Sequence, residues 1–328
     1  MRTVWRKECY LCGTFGSELY GNLSDKLYGV PGTWYLYECR NKECGLIWLN
    51  PVPLEEDIWI AYEQYFTHED HGSRRTVLSH IYEMLRTCIE YGTGLHREKL
   101  VVDSCYLNEQ KPGKLLEVGC GAGDYLARMQ SLGWEVEGVE IDSAARRLAQ
   151  RKHDLLVREG GLERRNYCED TFDAVVLNHV IEHVFDPVSL LKECRRVMKQ
   201  SGRAIVLTPN AKGRGHGIFK RDWTGLDPPR HIFVFSPRTL NMTANAAGFT
   251  RTTITTTAAN AGFFFRSTLN SREYGSQYME GDSVDRTARD SWGNGIRHAR
   301  ALLSQVMEFH SLKENPGIGE EIAMICEK

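Results

Sequence analysis

The sequence predicts an α/β protein whose main domain is a parallel, doubly wound sheet, preceded by a small cysteine module and a helical connector. Three observations support this prediction. An apolar strand at 114–118 runs directly into a glycine turn and a helix, as in doubly wound sheets. A second predicted strand at 134–142, WEVEGVEID, follows it. Two close cysteine pairs lie at 9–44, ahead of a stretch with helical spacing.

The length of 328 residues allows about two domains, or one large domain with additions. We expect the cysteine module at 1–52, the helical connector at 53–108 and the main domain at 109–328. Hydrophobic residues make up 41% and charged residues 26%, which excludes a wholly disordered chain.

Charge and hydropathy exclude two kinds of partner. Lysine and arginine total 41 against 43 acidic residues, so the basic surplus typical of nucleic-acid binding is missing and nucleic acid is not an expected partner. Because no apolar run reaches the ~18 residues of a membrane span, we expect no membrane partner. The charged segment MRTVWRKECYLCG does not fit a secretory signal, so we expect a cytoplasmic protein.

The N-terminal cysteines have the spacing of metal ligands. Cys9 and Cys12 form a C-x2-C pair, and Cys39 and Cys44 form a C-x4-C pair. Two such pairs can place four thiolates tetrahedrally around Zn²⁺, in the layout of a zinc ribbon. Four thiolates close the coordination shell, so we expect structural zinc. The alternative is four unliganded buried cysteines.

The connector shows apolar residues every three or four positions, which predicts two or three helices interrupted near Gly92 and Gly94. Its aromatic residues Tyr62, Tyr65 and Phe66 either pack against the main domain or cap a substrate pocket.

The glycine turn and the strand after it predict a ligand site. In KLLEVGCGAG the missing side chains let a ligand approach the backbone, and the following helix begins there. The second strand ends in a carboxylate that can accept both hydroxyl protons of a ribose. The residues expected at this site are Glu117, Gly119, Cys120, Gly121, Gly123 and Tyr125, with Glu140 and Ile141 on the second strand.

Two ligands compete for this site. A dinucleotide fingerprint requires G-x-G-x-x-G, but here the third glycine arrives one residue early and Asp124 follows it. An acid at that position repels a pyrophosphate. It does not repel S-adenosylmethionine, which carries a sulfonium, and Glu117 adds negative charge near the expected amino group.

The pattern E-x-G-x-G-x-G in LLEVGCGAG, with the later acid Glu140, resembles class I S-adenosylmethionine-dependent methyltransferases. The segment FDAVVLNHVIEHVFDPVSLLKECRRVMKQSGRAIVLTPN at 172–210 resembles the fourth strand, helix and fifth strand of the branch that includes ubiquinone-biosynthesis O-methyltransferases. The likeness covers about residues 114–258. The N-terminal cysteines followed by GLIWLNPVP resemble the zinc-ribbon extension of several members.

The resemblance implies a Rossmann-like, seven-stranded methyltransferase sheet in which only the last strand runs antiparallel. It implies adenine contacts from Gly161 and Leu162, after the third strand. At the end of the fourth strand, Asn178 and His179 are further expected cofactor contacts.

The segment HVIEH carries three groups that face the same side if it is helical: His179, Glu182 and His183. H-x-x-E-H is also a zinc-protease signature, but its place after an apolar strand argues against that activity. The remaining hypotheses are a metal that assists methyl transfer, His183 as a general base, and Glu182 with His183 as a structural pair.

The segment 210–240 follows the fifth strand and is the expected acceptor loop. Its R-H-x-x-x-F-[ST]-P element, starting at Arg230, resembles a recurring family element. His231 is the second candidate base, and the alternative is that it only hydrogen-bonds the loop closed. The expected catalytic residues are therefore His183, His231 and Glu182.

Residues 259–315 form an insertion before the last strand, either a lid or a contact in a homo-oligomer. It contains a predicted helix at about 294–312, whose expected apolar side consists of Ile296, Ala299, Leu302, Leu303 and Val306. The predicted function is S-adenosylmethionine-dependent methylation of a small molecule or sugar, with oxygen favoured. The alternatives are an N- or C-methyltransferase, a nicotinamide dehydrogenase, which Asp124 and the early glycine disfavour, and a zinc-ribbon binding protein whose methyltransferase-like domain senses the cofactor.

Overall fold

The computed structural model describes residues 1–63, 77–275 and 291–328. The connector aromatics Tyr65 and Phe66 and part of the insertion lie outside these residues. Among the described residues, no helix is both long enough and apolar enough to span a lipid bilayer.

Small antiparallel sheets form the N-terminal region. In the segment Trp34–Cys39 the buried residues Trp34 and Leu36 alternate with half-buried Tyr35 and Tyr37. The strands of this region are β1 (Thr3–Val4), β2 (Gly16–Leu23), β3 (Trp34–Cys39), β4 (Ile47–Asn50) and β5 (Val52–Pro53). The strands β2, β3 and β4 pair in one sheet, and β1 pairs with β5 in another.

The connector is helical, as its spacing predicts. A 3₁₀ helix spans Glu55–Tyr62, and two α-helices follow, α1 (Val77–Thr93) and α2 (Leu95–Asp103). Gly94 separates the two helices with φ at +87°, a conformation that glycine adopts without strain, whereas Gly92 lies inside α1.

The main domain alternates strands and helices. The central strands Lys114–Val118 and Phe172–Asn178 are short and mostly apolar, because both faces of the sheet are covered. The remaining strands are β6 (Lys114–Val118), β7 (Glu135–Glu140), β8 (Val157–Glu159), β9 (Phe172–Asn178), β10 (Met198–Pro209), β11 (Phe233–Val234), β12 (Arg251–Thr257) and β13 (Glu321–Glu327). The helices are α3 (Asp124–Ser131), α4 (Ser143–His153), α5 (Pro187–Val197), α6 (Arg214–Phe219), α7 (Pro237–Ala246), α8 (Ala261–Tyr274) and α9 (Ser291–Ser311).

Seven of these strands form one sheet in the order β12-β13-β10-β9-β6-β7-β8. Neighbours from β10 to β8 pair in parallel, while β13 pairs antiparallel with both β10 and β12. The α/β fold with a single antiparallel last strand is therefore confirmed. The order reverses at β6, where the carboxyl ends of β6 and β9 diverge into a crevice.

The N-terminal sheet packs into the core of the main domain. Consecutive residues of the central strands point to opposite faces, so that Leu116 belongs to one apolar cluster and Leu115 to another. Trp34 and Trp48 of the N-terminal region lie in the same cluster as Leu116. The main domain also supplies a fourth strand, because Phe233 of β11 pairs with Trp48 of β4.

The insertion forms α8 and α9, and α9 lies close to the helix expected at 294–312. The apolar side expected for it is wrong in part. Leu302 is buried, but Ile296 and Leu303 are more than half exposed. The helix buries Gln305 and Glu308 instead, because Gln305 donates to a backbone carbonyl and Glu308 accepts from a backbone N–H.

Candidate functional site

The glycine turn after β6 has a backbone that only glycine adopts easily. Gly119, Gly121 and Gly123 have φ of +69°, +52° and +79°. A Cβ on Gly119 would lie 2.7 Å from Val180 Cγ2, and one on Gly123 would lie 2.6 Å from Leu155 Cδ1. The loop therefore brings bare backbone to the crevice, and α3 begins there.

Glu140, at the end of β7, is tied to this turn. Its Oε2 accepts the Gly121 N–H and its Oε1 accepts the Asp142 N–H, each at 2.8 Å. Each carboxylate oxygen keeps a second lone pair, which a ribose hydroxyl can use. Burial raises the pKa of Glu140 above its usual value despite these bonds.

Glu117 gives the site a second buried carboxylate. It is 3% exposed, and its Oε2 has no hydrogen-bond partner among the described residues. Burial and the charge of Glu140 raise the pKa of Glu117 well above its usual value. An ammonium group that donates to Glu117 would relieve this cost. The carboxylate therefore fits the amino group of S-adenosylmethionine, and its negative charge suits the sulfonium.

The expected adenine contacts lie at the next strand end. The Gly160 N–H donates to the Glu140 carbonyl at 2.9 Å and joins the ends of β7 and β8. Leu162 is fully buried just after Gly161, whereas Ile141 is 68% exposed. The exposed side chain of Ile141, next to the candidate ribose-binding acid Glu140, offers an apolar surface for an aromatic base.

Three other predicted residues contribute in different ways. A Cβ on Gly138 would lie 2.6 Å from Cys120 Sγ, so the Cys120 thiol packs against β7. The Tyr125 hydroxyl donates to the Ser104 carbonyl at 3.4 Å and contacts the connector. Asn178 ends β9 at the crevice.

Asp124 has a different role from the one its position suggests. Its carboxylate lies 2.9 Å from Lys152 Nζ and 2.8 Å from His153 Nε2, at the far end of α4. Two basic partners compensate its charge, which weakens the argument that this acid repels a pyrophosphate. The early third glycine is the remaining sequence argument against a dinucleotide.

The expected helical face in HVIEH is wrong. His179 has φ of +56°, and only Ile181–His183 form a short 3₁₀ helix. His179 Nδ1 lies 3.2 Å from Glu182 Oε1, and its Nε2 lies 2.7 Å from Glu321 Oε1. Burial lowers the pKa of His179, but these two carboxylates outweigh burial and raise it to about 10. His179 is therefore a charged imidazolium at neutral pH.

The structure brings the two candidate bases together. The ring centroids of His183 and His231 lie 4.6 Å apart at a steep angle. His183 Nδ1 lies 3.1 Å from the Arg230 carbonyl, and His231 Nδ1 lies 2.8 Å from the Gly225 carbonyl. A carbonyl only accepts, so each ring carries a proton on Nδ1, and in a neutral His183 ring the lone pair is on Nε2.

His183 has a further partner in the connector, since the Tyr62 hydroxyl lies 2.9 Å from its Nδ1. Tyr62 thus packs against the main domain beside the candidate acceptor site. Burial and the charge of His231 lower the pKa of His183 to about 4, so that its ring is neutral at pH 7.

A third group, Glu182, completes a possible cation site. Glu182, His183 and His231 each offer a ligand atom within 4.8 Å of the others. Two imidazoles and a carboxylate suit a divalent transition metal. His231 replaces His179 in the trio expected from sequence, because His179 turns toward Glu321.

Sequence reasoning did not predict two acidic residues at this site. Asp227 and Asp25 both bind Arg230, next to His231. Asp227 lies three residues before Arg230, so the spacing in DPPRH was an available signal. Asp25 is 205 residues away from Arg230, and no local pattern connects them.

The four N-terminal cysteines lie together as predicted. Their sulfurs are all within 4.8 Å of one another, with Cys9 and Cys44 3.6 Å apart and Cys12 and Cys39 3.4 Å apart. Four thiolates at 2.3 Å from a tetrahedral Zn²⁺ would be about 3.8 Å apart. The cluster therefore fits a closed zinc site.

Comparison with known proteins agrees with the fold. A family model described as "Methyltransferase domain" matches residues 87–254. A demethylmenaquinone methyltransferase of Thermotoga maritima is 26% identical over 43% of this chain and 65% of its own length. A ubiquinone biosynthesis O-methyltransferase of Alkalilimnicola ehrlichii is 33% identical over 31% of this chain and 44% of its own length. The chain thus spans less than two thirds of these relatives.

A solved S-adenosylmethionine-dependent methyltransferase of Archaeoglobus fulgidus is 19% identical, with 83% of this chain and 100% of that chain covered and a TM-score of 0.44. The family model spans more than half of the chain, including β6 to β10 and the glycine turn. The chain therefore belongs to the methyltransferase-domain family, with the sheet order expected of its class I, S-adenosylmethionine-dependent members.

Proposed function

We propose that the protein transfers a methyl group from S-adenosylmethionine to a hydroxyl of a small molecule or sugar. The observation that carries the proposal is a glycine turn with two buried carboxylates, Glu117 and Glu140, beside the His183–His231 pair. The cofactor supplies a methyl group activated by a sulfonium. This chain must bind it, align the acceptor and remove a proton.

Each step has candidate residues. Glu140 and Glu117 bind the ribose hydroxyls and the amino group, and the backbone of the glycine turn lies against the cofactor. His183 Nε2 carries the free lone pair of a neutral ring, so it can accept the acceptor's hydroxyl proton. His231 packs against His183, and Glu182 accepts a hydrogen bond from Thr208 at 3.0 Å. These contacts fix the neighbourhood of the base.

We also propose that Cys9, Cys12, Cys39 and Cys44 hold one structural zinc ion. The four sulfurs leave no coordination position for a substrate. None of the ten cysteines, all of which the structure describes, forms a disulfide. Thiols suit a reducing compartment, which favours the cytoplasm.

Two measurements test the proposal. Calorimetry should detect binding of S-adenosylmethionine and no comparable binding of NAD. A panel of alcohols, phenols and sugars should give S-adenosylhomocysteine and a product heavier by one methyl group. Absence of cofactor binding at saturating concentration would overturn the proposal. Binding without turnover on any acceptor favours the alternative of a cofactor-sensing regulatory protein, and turnover on amines alone favours an N-methyltransferase.

A further inference from the structure

A buried arginine joins the N-terminal region to the candidate acceptor site. Arg230 has no exposed surface. Its Nη1 donates to Asp25 Oδ2 at 2.7 Å and its Nη2 to Asp25 Oδ1 at 2.8 Å, a two-pronged pair. Its Nε donates to Asp227 Oδ2 at 2.9 Å. Asp25 follows β2, so this ion pair crosses from the cysteine region into the acceptor loop.

Asp25 is itself held by its own turn. Its Oδ1 accepts the N–H groups of Leu27 and Tyr28 at 2.9 and 3.0 Å, and its Oδ2 accepts that of Val30 at 3.2 Å. The Tyr28 ring lies 4.5 Å from the guanidinium of Arg230. The turn thus presents a fixed carboxylate to the arginine.

Arg230 in turn contacts His183 itself and the connector segment that packs against His183. Its carbonyl lies 3.1 Å from His183 Nδ1, and His231 is the next residue. Its Nη1 also lies 3.3 Å from the carbonyl of Ala61, directly before the Tyr62 that contacts His183. One guanidinium therefore fixes the backbone that orients His183 and His231.

We infer that Asp25 is a positioning residue for the His183–His231 pair, so that the N-terminal region completes the acceptor site as well as stabilising the fold. The catalytic part of this inference rests on the proposed function. The geometric part, that Asp25 acts through Arg230 on the placement of the two imidazoles, does not depend on the acceptor.

The variant Asp25→Asn isolates the contact. Asparagine keeps one oxygen for the turn, but its NH₂ group faces the guanidinium, donor against donor. The matched control is Glu43→Gln. Glu43 lies in the cysteine region and pairs with Arg238 of the main domain at 2.7 Å, and among the described residues it contacts neither histidine.

The first readout needs no turnover. Ring ¹⁵N spectra of the full-length protein at one fixed pH, assigned with His183→Asn and His231→Asn, report the tautomer and the surroundings of each imidazole. We expect Asp25→Asn to change the ring ¹⁵N shifts or the tautomer of at least one imidazole, with Glu43→Gln unchanged. Unchanged spectra in a folded Asp25→Asn protein overturn the inference, whatever the enzyme methylates.

The second readout uses any acceptor found by the panel. Asp25→Asn should lower kcat at least tenfold, with KM for S-adenosylmethionine and its Kd changed less than twofold and the zinc content kept. Equal kcat in both variants overturns the inference. If Asp25→Asn does not fold, Asp25→Glu, which keeps the charge on a longer side chain, replaces it with the same two outcomes. Lack of turnover in the unmodified protein counts against the proposed function alone.

Discussion

We expect cofactor binding to depend most directly on Glu140. In Glu140→Gln the charge is lost, and an NH₂ group must face either the Gly121 or the Asp142 N–H. Hydrogen bonds to a charged group contribute about 1.5–3 kcal/mol, so we expect the Kd for S-adenosylmethionine to rise at least tenfold. Calorimetry measures it. Glu135→Gln, at the exposed start of the same strand, is the control and should leave Kd unchanged. Equal affinities for both variants would contradict the assignment.

The low pKa of His183 predicts the pH dependence of turnover. Because burial and His231 lower it to about 4, the ring stays neutral and able to accept a proton far below pH 6.5. The acid limb of kcat/KM for a hydroxyl acceptor should therefore lie near pH 4–5. His183→Asn should lower kcat about 10²–10⁴-fold with little change in cofactor Kd. An acid limb at pH 6.5, or full activity in the variant, would rule out His183 as the base.

Sequence reasoning found residues whose neighbours are close in the chain. Glu140 follows from the strand after the glycine turn, and His183 and His231 follow from local motifs. Asp25 and Glu321 could not be found this way, because each reaches the site from a distant segment and only the packed sheet brings them together. Tyr62 was predicted only as one of three connector aromatics, and its contact with His183 depends on the fold.

At the scale of the element, the glycine turn combines two constraints that a substitution can separate. Gly123→Ala adds a methyl group 2.6 Å from Leu155 at a φ of +79°, whereas Gly94→Ala meets nothing within 4 Å at +87°. The control should lose only the strain of the left-handed backbone, about 1 kcal/mol in the free energy of unfolding. Gly123→Ala should lose about 2–4 kcal/mol, because overpacking adds to strain. Denaturant unfolding measures both, and equal losses would contradict the tight packing.

The helix α9 carries a carboxyl group that makes stability depend on pH. Burial, followed by the charge of Glu320, raises the pKa of Glu308 to about 9, whereas an unfolded glutamate titrates near 4.5. The folded protein therefore holds a proton that the unfolded chain releases, and stability falls as pH rises from about 4.5 to 9. Glu308→Gln, which keeps the oxygen for the Glu320 N–H, should show a smaller fall in Tm between pH 6 and 9.

The exposed Glu314 on the same segment provides the control for this experiment, since Glu314→Gln should follow the unmodified protein. A Tm curve of Glu308→Gln that is parallel to the others would show that this carboxyl is ionised in the folded state. Scanning calorimetry at four or five pH values is sufficient.

Helical spacing predicted α9 closely but did not predict its buried face or the 3₁₀ turn in HVIEH. Periodicity assumes a regular helix and an apolar core. His179 leaves the helical region to pair with Glu321, and Gln305 and Glu308 are buried because backbone groups of other segments bond them. Tertiary hydrogen bonds therefore outweigh the local pattern at both places.

At the scale of the whole molecule, zinc should stabilise more than the cysteine region. Trp48 and Trp34 lie in the same core as the central sheet, so a chelator should lower the Tm of the entire protein and shift tryptophan emission to the red. Cys39→Ala should have the same effect and abolish the expected one zinc per chain. Cys168→Ala, at an exposed cysteine outside the cluster, should keep both. A chelated protein with unchanged Tm would contradict a structural metal.

The seven strands of the large sheet and the antiparallel direction of the last one followed from the resemblance. The strand that the main domain adds to the N-terminal sheet did not, because β11 has only two residues and pairs with the distant β4. Strand pairing of this kind depends on contact between finished elements. The boundary at residue 108 remains a prediction, although the shared core shows that both sides of it fold against each other.

The pairing of Trp48 with Phe233 also has a consequence during synthesis. A ribosome delivers the cysteine region first, with the outer edge of β4 lacking its neighbour until the loop that carries Phe233 has been translated. At ~5–20 residues per second that interval lasts ~10–40 s. An unpaired strand edge attracts other chains, so early metal capture and chaperone cover in that interval should decide the yield of soluble protein.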